Sequence, residues 1–347
     1  MTTERDISVA VIGANGYTGG ELLRLLAQHP RLHVTHATSR SLSGQPVRGS
    51  FPHLHTDLRF CEYNAAEIAQ SCALAFLCLP HGESAATAEE LAKFKSIKVV
   101  DLSADLRYDD LALFRQSYGE HVSPLAGSVP YGLTEWNREA VRSAQIVANP
   151  GCYVTTILLA LMPLWRSELT LHGPVIADAK SGVSGAGRGA SVPNLLAELA
   201  GDFYPYKTVG HRHESEIRHR LTTLGAARST PVIFSPHLLP IPRGILASVY
   251  VQCDADSATM HQLYREAYAH EPMISLLDKD ETIHLKAVQG TNRTLIKLVH
   301  RPAEKAWVIF SALDNLVKGA SGQALQNANL MLGLPETMGL DTLAVYP

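Results

Sequence analysis

One stretch near the start of the chain decides its fold: Ile7-Ser8-Val9-Ala10-Val11-Ile12-Gly13-Ala14-Asn15-Gly16-Tyr17-Thr18-Gly19. The first six residues form a short, mostly apolar run that predicts a buried strand, and the glycines after it have the spacing G-x-x-G-x-x-G. In a dinucleotide-binding loop, such glycines allow a tight turn, close approach of the backbone to a pyrophosphate and close packing of helix against strand. A purely structural turn is the alternative, but the position between a strand and a helix favours a dinucleotide. The predicted cofactor-binding residues of this loop are Gly13, Asn15, Gly16, Tyr17, Thr18 and Gly19.

The first half of the chain continues with short apolar runs that alternate with helical patterns. This alternation predicts βαβ units and a mostly parallel sheet with helices on both faces, which is the Rossmann-type arrangement. The predicted strands are Ile7–Ile12, Leu32–Ala37, Leu74–Leu79, Val99–Leu102 and Ile146–Ala148, and the predicted helices are Glu21–Gln28 and Glu83–Phe94.

The pattern changes in the second half, where strands follow one another with few helices between them. We therefore expect an α/β protein whose second domain is α+β with a mixed or antiparallel sheet. The expected domains are a cofactor domain over residues 1–151, a second, α+β domain over 152–313, and a tail over 314–347 whose helix returns to the first domain. The predicted elements are helices at Thr155–Arg166, near His261–Ala269 and at Ala320–Leu332, and strands at Val175–Ala179, Val232–Ser235, Leu246–Val251, Ile283–Ala287, Leu295–Leu298 and Trp307–Leu313.

Size and composition narrow the class of protein. With 347 residues the chain exceeds what one hydrophobic core usually supports, which also favours two domains. A net charge of -3 gives no electrostatic reason to expect nucleic acid, and no apolar run approaches the roughly 20 residues of a membrane helix. The first six residues carry no signal-peptide core, and the five cysteines lack CxxC spacing, which is typical of reduced thiols. We therefore expect a soluble cytoplasmic protein that binds neither nucleic acid nor membrane.

The end of the second predicted strand, Thr38-Ser39-Arg40, indicates which dinucleotide binds. NAD sites usually place an acidic residue there, about 20 residues after the glycines, to hold the ribose 2′-hydroxyl. This chain has no carboxylate at that point, whereas the Arg40 guanidinium can pair with a 2′-phosphate and the Ser39 hydroxyl can assist it. A solvated surface arginine is the alternative. We predict NADP(H).

The segment Asn149-Pro150-Gly151-Cys152-Tyr153 predicts a nucleophile. Cys152 follows a Pro-Gly turn and precedes an apolar run, so its thiol is expected where a helix begins. Unpaired N–H groups and a partial positive charge at a helix N-terminus favour a thiolate, which is the nucleophilic form. A small buried cysteine that only fills space is the alternative.

A second segment, Gly210-His211-Arg212-His213-Glu214-Ser215-Glu216-Ile217, concentrates titratable groups just before a helical pattern. A histidine near the thiol could stabilise the thiolate and move protons at neutral pH. The H-x-H spacing could instead bind a metal, but no cysteine or third histidine completes a metal-site spacing in the segment, although His219 is near. We therefore predict no metal site.

Arginines could hold an anionic substrate. The segment Asp101-Leu102-Ser103-Ala104-Asp105-Leu106-Arg107 follows a buried strand, and ligands of such sheets bind at the carboxyl ends of strands. Arg107 could therefore grip an anion, with a salt bridge to Asp105 or Asp109 as the alternative. Arg188 stands in a glycine-rich loop whose backbone amides could approach an anion, and Arg243 is a further candidate.

Together these segments resemble the N-acetyl-gamma-glutamyl-phosphate reductases, which are relatives of the aspartate-semialdehyde dehydrogenases. The resemblance runs essentially end to end, and the Cys152 pentapeptide followed by the His-Arg-His segment is its most specific part. It implies that His211 is the acid/base and that Asn315, in Asp314-Asn315-Leu316-Val317-Lys318-Gly319, reaches back to the cofactor. It also implies cofactor contacts from Pro80, Ser181, Gly182 and Gly185, and substrate contacts from Arg107, Asn149, Arg188 and Glu216.

The reaction that the resemblance implies belongs to arginine biosynthesis and begins with attack of the Cys152 thiolate on an acyl phosphate. Phosphate leaves, NADPH reduces the thioester, and N-acetylglutamate semialdehyde departs. The implied partners are this small acyl phosphate or semialdehyde, inorganic phosphate and further copies of the chain in a homotetramer or homodimer. Two alternatives stay open: a lysine-biosynthesis reductase that acts on an aminoadipyl phosphate carried by a small acidic protein, and an NADPH-binding regulator without catalysis.

Overall fold

A computed structural model describes residues 6–119, 123–226 and 228–346. The chain divides into two compact units. The first unit runs to Pro150 and includes Ala320–Asp341, and the second covers Gly151–Gly319 with the described residues from Thr342 onwards. The tail is therefore shared, because residues 314–319 belong to the second unit and the helix after them to the first.

A six-stranded parallel sheet forms the centre of the first unit, in the order β3-β2-β1-β4-β5-β6. The strand order reverses between β1 and β4, and in doubly wound sheets a ligand binds outside the carboxyl ends of the strands at such a switch point. The Rossmann-type prediction is confirmed. The strands are β1 (Ile7–Ile12), β2 (Leu32–Thr38), β3 (Phe60–Cys61), β4 (Leu74–Leu77), β5 (Lys98–Asp101) and β6 (Ile146–Ala148).

Helices cover this sheet and close its core. The central strands are fully buried at Val9–Val11 and Leu74–Leu77, since they are apolar on both faces. The tail helix, Gly322–Met331, is buried along its whole length and packs against the last helix before β6. The other helices are α1 (Tyr17–Leu26), α2 (Val47–Ser50), α3 (Ala65–Ser71), α4 (Ser84–Ala92), α5 (Leu111–Tyr118) and α6 (Thr134–Ser143).

A seven-stranded mixed sheet forms the second unit, in the order β11-β12-β13-β10-β7-β9-β8, which confirms the predicted sheet type. Its centre is antiparallel, while β7 pairs with β9 and β11 with β12 in parallel. The strands are β7 (Leu171–Gly182), β8 (Tyr204–Pro205), β9 (Val232–Leu239), β10 (Ile245–Cys253), β11 (Ile274–Leu276), β12 (Thr294–Arg301) and β13 (Ala306–Leu313). The helices are α7 (Cys152–Arg166), α8 (Leu196–Leu199), α9 (Arg212–Arg220) and α10 (Ser257–Tyr268).

One predicted strand is wrong. Ile283–Ala287 forms a 3-10 turn at Leu285–Ala287, because the backbone N–H groups of Ala287 and Val288 bond back to residues three positions earlier. Ile283 and Leu285 are partly buried between exposed neighbours, and this alternation imitates the pattern of a strand.

None of the helices within the described ranges has both the length and the apolar character needed to cross a membrane. Residues 1–5, which make up most of the N-terminus that predicts no signal peptide, lie outside those ranges.

Candidate active site

A cavity of about 390 Å³ in the first unit lies at the switch point of the sheet. Its walls come from the loop after β1, the end of β2 and the loop after β4. Tyr17, Thr18 and Gly19 lie in the first turn of α1, immediately after this loop. The predicted cofactor residues that line the cavity are Gly13, Asn15, Gly16, Ser39, Arg40 and Pro80.

The glycines of the loop fit a dinucleotide for separate reasons. Gly13 has φ +81°, and a Cβ there would come within 2.6 Å of the Cys78 carbonyl oxygen. A Cβ on Gly19 would come within 2.6 Å of Ala14 Cα, so this glycine permits close packing of α1 on the loop. Gly16 is the N-cap of α1, has open space where a Cβ would project, and lines the cavity. Backbone N–H groups at such a helix start favour a pyrophosphate.

The end of β2 carries groups suited to a 2′-phosphate. Ser39 is only 4% exposed, and its hydroxyl has no hydrogen-bond partner among the described residues. The Arg40 side chain is 84% exposed, and its guanidinium lies 2.9 Å from the Glu83 carboxylate. An unsatisfied hydroxyl beside an accessible cation is a combination that a phosphate can satisfy. The residues present therefore fit NADP(H).

The thiol lies in the second unit, at the first residue of α7. The helix begins at Cys152, three residues before the predicted start, because Gly151 has the extended conformation of an N-cap. The Gly151 N–H donates to Glu216 Oε1 at 3.1 Å, and Glu216 is fully buried. A Cβ on Gly319 would come within 2.8 Å of Cys152 Cβ, so the glycine lets this part of the chain pack closely on the first turn of α7.

His211 is the N-cap of α9 and is held as a neutral imidazole. Its Nδ1 accepts the backbone N–H of His213 at 3.1 Å, so the ring proton of the neutral form is on Nε2. Burial, followed by three neighbouring basic side chains, lowers the pKa of His211 from 6.5 to about 3. Those side chains are His213, Lys207 and Arg212. His211 can therefore donate a hydrogen bond from Nε2 at neutral pH without carrying a positive charge.

Aromatic rings surround His211 and connect it with the start of α7. Its ring centroid lies 6.0 Å from Tyr153, 5.6 Å from Tyr206 and 5.2 Å from Phe234. Burial, assisted by the charge on Cys152, raises the pKa of Tyr206 to about 12. Cys152 and His211 therefore share one environment. Tyr206 and Phe234 were missed by sequence reasoning, since neither stands in a motif.

In the second unit, Asn315 links the glycine-rich loop that is predicted to contact the cofactor with the turn before β10. Its Oδ1 accepts the Gly244 N–H at 2.8 Å, and its Nδ2 donates to Ser184 Oγ at 2.9 Å. Ser181 is buried, and Gly182 packs so closely on the chain at Arg243 that a Cβ would lie 2.8 Å from its nitrogen. Gly185 follows in the same loop. Cofactor binding by these four residues, Ser181, Gly182, Gly185 and Asn315, stays a prediction.

Three predicted substrate residues lie in other surroundings. Arg107 is buried in the first unit, where its Nε donates to the Asn149 carbonyl and its Nη2 to the Leu102 carbonyl, each at 2.8 Å. The Asn149 side chain is also buried, between the Ala320 carbonyl and Asn327. Arg188 is exposed in the second unit. In this arrangement Arg107 and Asn149 stabilise the turn before the thiol, and direct substrate contacts by any of the three stay predictions.

Comparisons with known proteins identify the family. The family models described as "Semialdehyde dehydrogenase, NAD binding domain" and "Semialdehyde dehydrogenase, dimerisation domain" match residues 8–144 and 152–315. Relatives named N-acetyl-gamma-glutamyl-phosphate reductase, from Saccharophagus degradans and Acinetobacter baumannii, are 42% and 43% identical, and each match covers 98% of this chain and 100% of the relative. The chain belongs to the N-acetyl-gamma-glutamyl-phosphate reductase family. The resemblance predicted from the motifs is confirmed.

Solved structures place this reductase family within a wider fold. Aspartate semialdehyde dehydrogenase II from Vibrio cholerae, complexed with ASA, is 19% identical with a TM-score of 0.72, over 95% of this chain and 99% of that one. Aspartate semialdehyde dehydrogenase with NADP from Candida albicans is 13% identical with a TM-score of 0.71, over 94% and 98%. At these identities the likeness shows a common fold.

Proposed function

We propose that the chain reduces N-acetyl-L-glutamyl 5-phosphate to N-acetyl-L-glutamate 5-semialdehyde with NADPH, as a step of arginine biosynthesis. The observation that carries the proposal is Cys152 at the first residue of α7, in one environment with His211 and Tyr206. Full-length relatives that carry the reductase name support the substrate class.

The chemistry of the second unit starts at the thiol. The Cys152 thiolate attacks the acyl carbon, a C–S bond forms, the C–O bond to phosphate breaks, and inorganic phosphate leaves. The helix N-terminus stabilises the negative charge on sulfur before attack. His211 Nε2–H donates to the acyl oxygen as negative charge develops there, which is the role of an oxyanion donor.

The first unit holds the reductant. When bound, NADPH supplies the hydride that takes the thioester to the aldehyde level. The loop Gly13–Gly19 would hold its pyrophosphate, and Ser39 with Arg40 would hold its 2′-phosphate. Collapse of the tetrahedral adduct then breaks the C–S bond, returns the thiolate of Cys152 and releases the semialdehyde.

The test is the reverse reaction with purified protein. We expect NADP reduction that requires both N-acetylglutamate semialdehyde and inorganic phosphate, with aspartate and aminoadipate semialdehydes as parallel substrates. Faster turnover of the aminoadipate compound, especially on a carrier protein, would favour the lysine-biosynthesis alternative. No turnover with any of the three by protein that still binds NADPH would favour a regulator.

We propose further that copies of the chain assemble through the second unit, as a homodimer or homotetramer in the cytoplasm. Support comes from the family description of residues 152–315 as a dimerisation domain and from the free thiols of all five cysteines. The absolute mass in solution distinguishes a dimer from a tetramer.

A further inference from the structure

The cavity at the switch point of the first unit contains a carboxylate that the end of β2 lacks. Glu83 lies in the loop after β4, lines the cavity, and places its carboxylate 2.9 Å from the Arg40 guanidinium. In NAD sites the acidic group that binds the ribose 2′-hydroxyl stands at the end of the second strand. In this chain the end of the second strand carries Arg40 instead, and the carboxylate beside it comes from the loop after β4, on the other side of the cavity.

The backbone on both sides of Glu83 is anchored, so the fold fixes the point from which this side chain extends. Asp105 accepts the Gly82 N–H at 2.8 Å and the Ala85 N–H at 3.0 Å, in the manner of a cap for the first turn of α4. Ser84 Oγ donates to Asp101 at 2.6 Å. Both aspartates are buried. The Glu83 side chain, which is 44% exposed, lines the cavity.

We propose that Glu83 determines cofactor specificity, by opposing the 2′-phosphate of NADPH and by accepting the 2′-hydroxyl of NADH. A 2′-phosphate must compete with the Glu83 carboxylate for the Arg40 guanidinium. Once bound, the phosphate lies near the negative charge of Glu83, and this repulsion weakens NADPH binding. A ribose 2′-hydroxyl instead finds a charged acceptor. Glu83 therefore narrows the preference for NADPH over NADH that Arg40 creates. This inference rests on one part of the proposed function, namely that a dinucleotide binds in this cavity.

The experiment measures Kd for NADPH and NADH by fluorescence titration of the full chain and of Glu83→Gln. We expect tighter NADPH binding and weaker NADH binding in the variant, so that the ratio of the two constants changes by about tenfold or more. Glu62→Gln is the control, because it removes the same charge from an exposed residue that does not line the cavity. A ratio that changes no more in Glu83→Gln than in Glu62→Gln overturns the inference.

A second background separates direct contact from an effect through Arg40. In Arg40→Ala, the added Glu83→Gln change should still weaken NADH, since the carboxylate accepts the hydroxyl directly. Loss of that effect would contradict the direct contact. Wild-type protein that is folded but binds neither dinucleotide would instead contradict the proposed function, so the two failures are distinguishable.

Discussion

At the scale of single residues, His211 shows how structure changes a role that sequence predicts. The motif predicts a histidine that titrates near neutral pH, but the N-cap hydrogen bond fixes the ring tautomer and burial keeps the ring neutral. The ring contacts of His211 could not be predicted from the sequence, since Tyr206 and Phe234 come from separate elements. A neutral imidazole is suited to donate a hydrogen bond to a developing oxyanion.

The depressed pKa of His211 predicts acid sensitivity. Unfolded protein binds a proton at this ring below pH 6.5, whereas folded protein does so only near pH 3, so stability falls as the pH drops through this window. His211→Gln should lose less stability between pH 7 and pH 4.5 than wild type does, as measured by urea unfolding. The exposed His270→Gln serves as control, and an unchanged loss in His211→Gln would contradict the buried neutral ring.

Arg40 predicts the cofactor preference of the wild-type chain. Arg40→Ala removes a charge-assisted hydrogen bond to the 2′-phosphate, worth about 1.5–3 kcal/mol, so NADPH binding should weaken by about tenfold or more. NADH has no 2′-phosphate and should bind Arg40→Ala without this loss. Equal losses for both cofactors in titrations would show that Arg40 does not read the phosphate.

At the scale of elements, local sequence patterns predict the buried, apolar parts of strands well, but they predict poorly where a strand continues through polar residues. β1 and β6 have the bounds that their apolar runs predict, since these strands are buried on both faces. β7 continues past Ala179 through Lys180, Ser181 and Gly182, because Ser181 pairs with Ile245 on β10. That pairing is a tertiary contact, and no local pattern contains it.

The start of α7 depends on Glu216, which is 64 residues from Cys152 in sequence. Glu216→Ala leaves a buried Gly151 N–H unpaired, and we expect a loss of about 1–3 kcal/mol in the free energy of unfolding. The rate of Cys152 alkylation by iodoacetamide should change as well, because the turn before the thiol loses its anchor. Glu216→Gln retains an acceptor and should be milder.

The matched control for Glu216 is Glu214→Ala on the same helix, which breaks an ion pair with the half-exposed Arg218. Such pairs contribute little. An effect of Glu216→Ala no greater than that of Glu214→Ala would refute the anchoring role.

At the scale of the whole molecule, the order of strands and helices along the chain predicts two types of domain and a tail helix that returns to the first. It does not predict the contacts that hold this helix in place. The tail helix enters the first unit with amides that bond inside it: Gln323 donates to the Gly132 carbonyl at 2.9 Å, and Asn327 donates to Asn149. A helix rich in amide side chains is typical of a protein surface, so its local pattern does not predict burial. Its burial follows from partners about 190 residues away.

The substrate predicted for the whole molecule has an acetylated amine, which carries no charge. A pocket for it needs no carboxylate to meet an ammonium group, so a free-amine substrate such as aspartyl phosphate would bury an unpaired charge. We expect kcat/KM to favour the N-acetylated substrate by about 100-fold or more. Comparable efficiency on both would indicate the specificity of the aspartate-semialdehyde relatives.

The most direct test of the central claim is the acyl-enzyme on Cys152. Wild-type chain and Cys152→Ser are mixed with N-acetylglutamyl phosphate without NADPH, and peptide mass spectrometry locates the acyl group. The proposed route predicts an acyl group on Cys152 that disappears when NADPH is added, and at least about 1,000-fold less turnover in Cys152→Ser with NADPH binding retained. No acyl group on Cys152, or turnover in Cys152→Ser close to that of wild type, would contradict it.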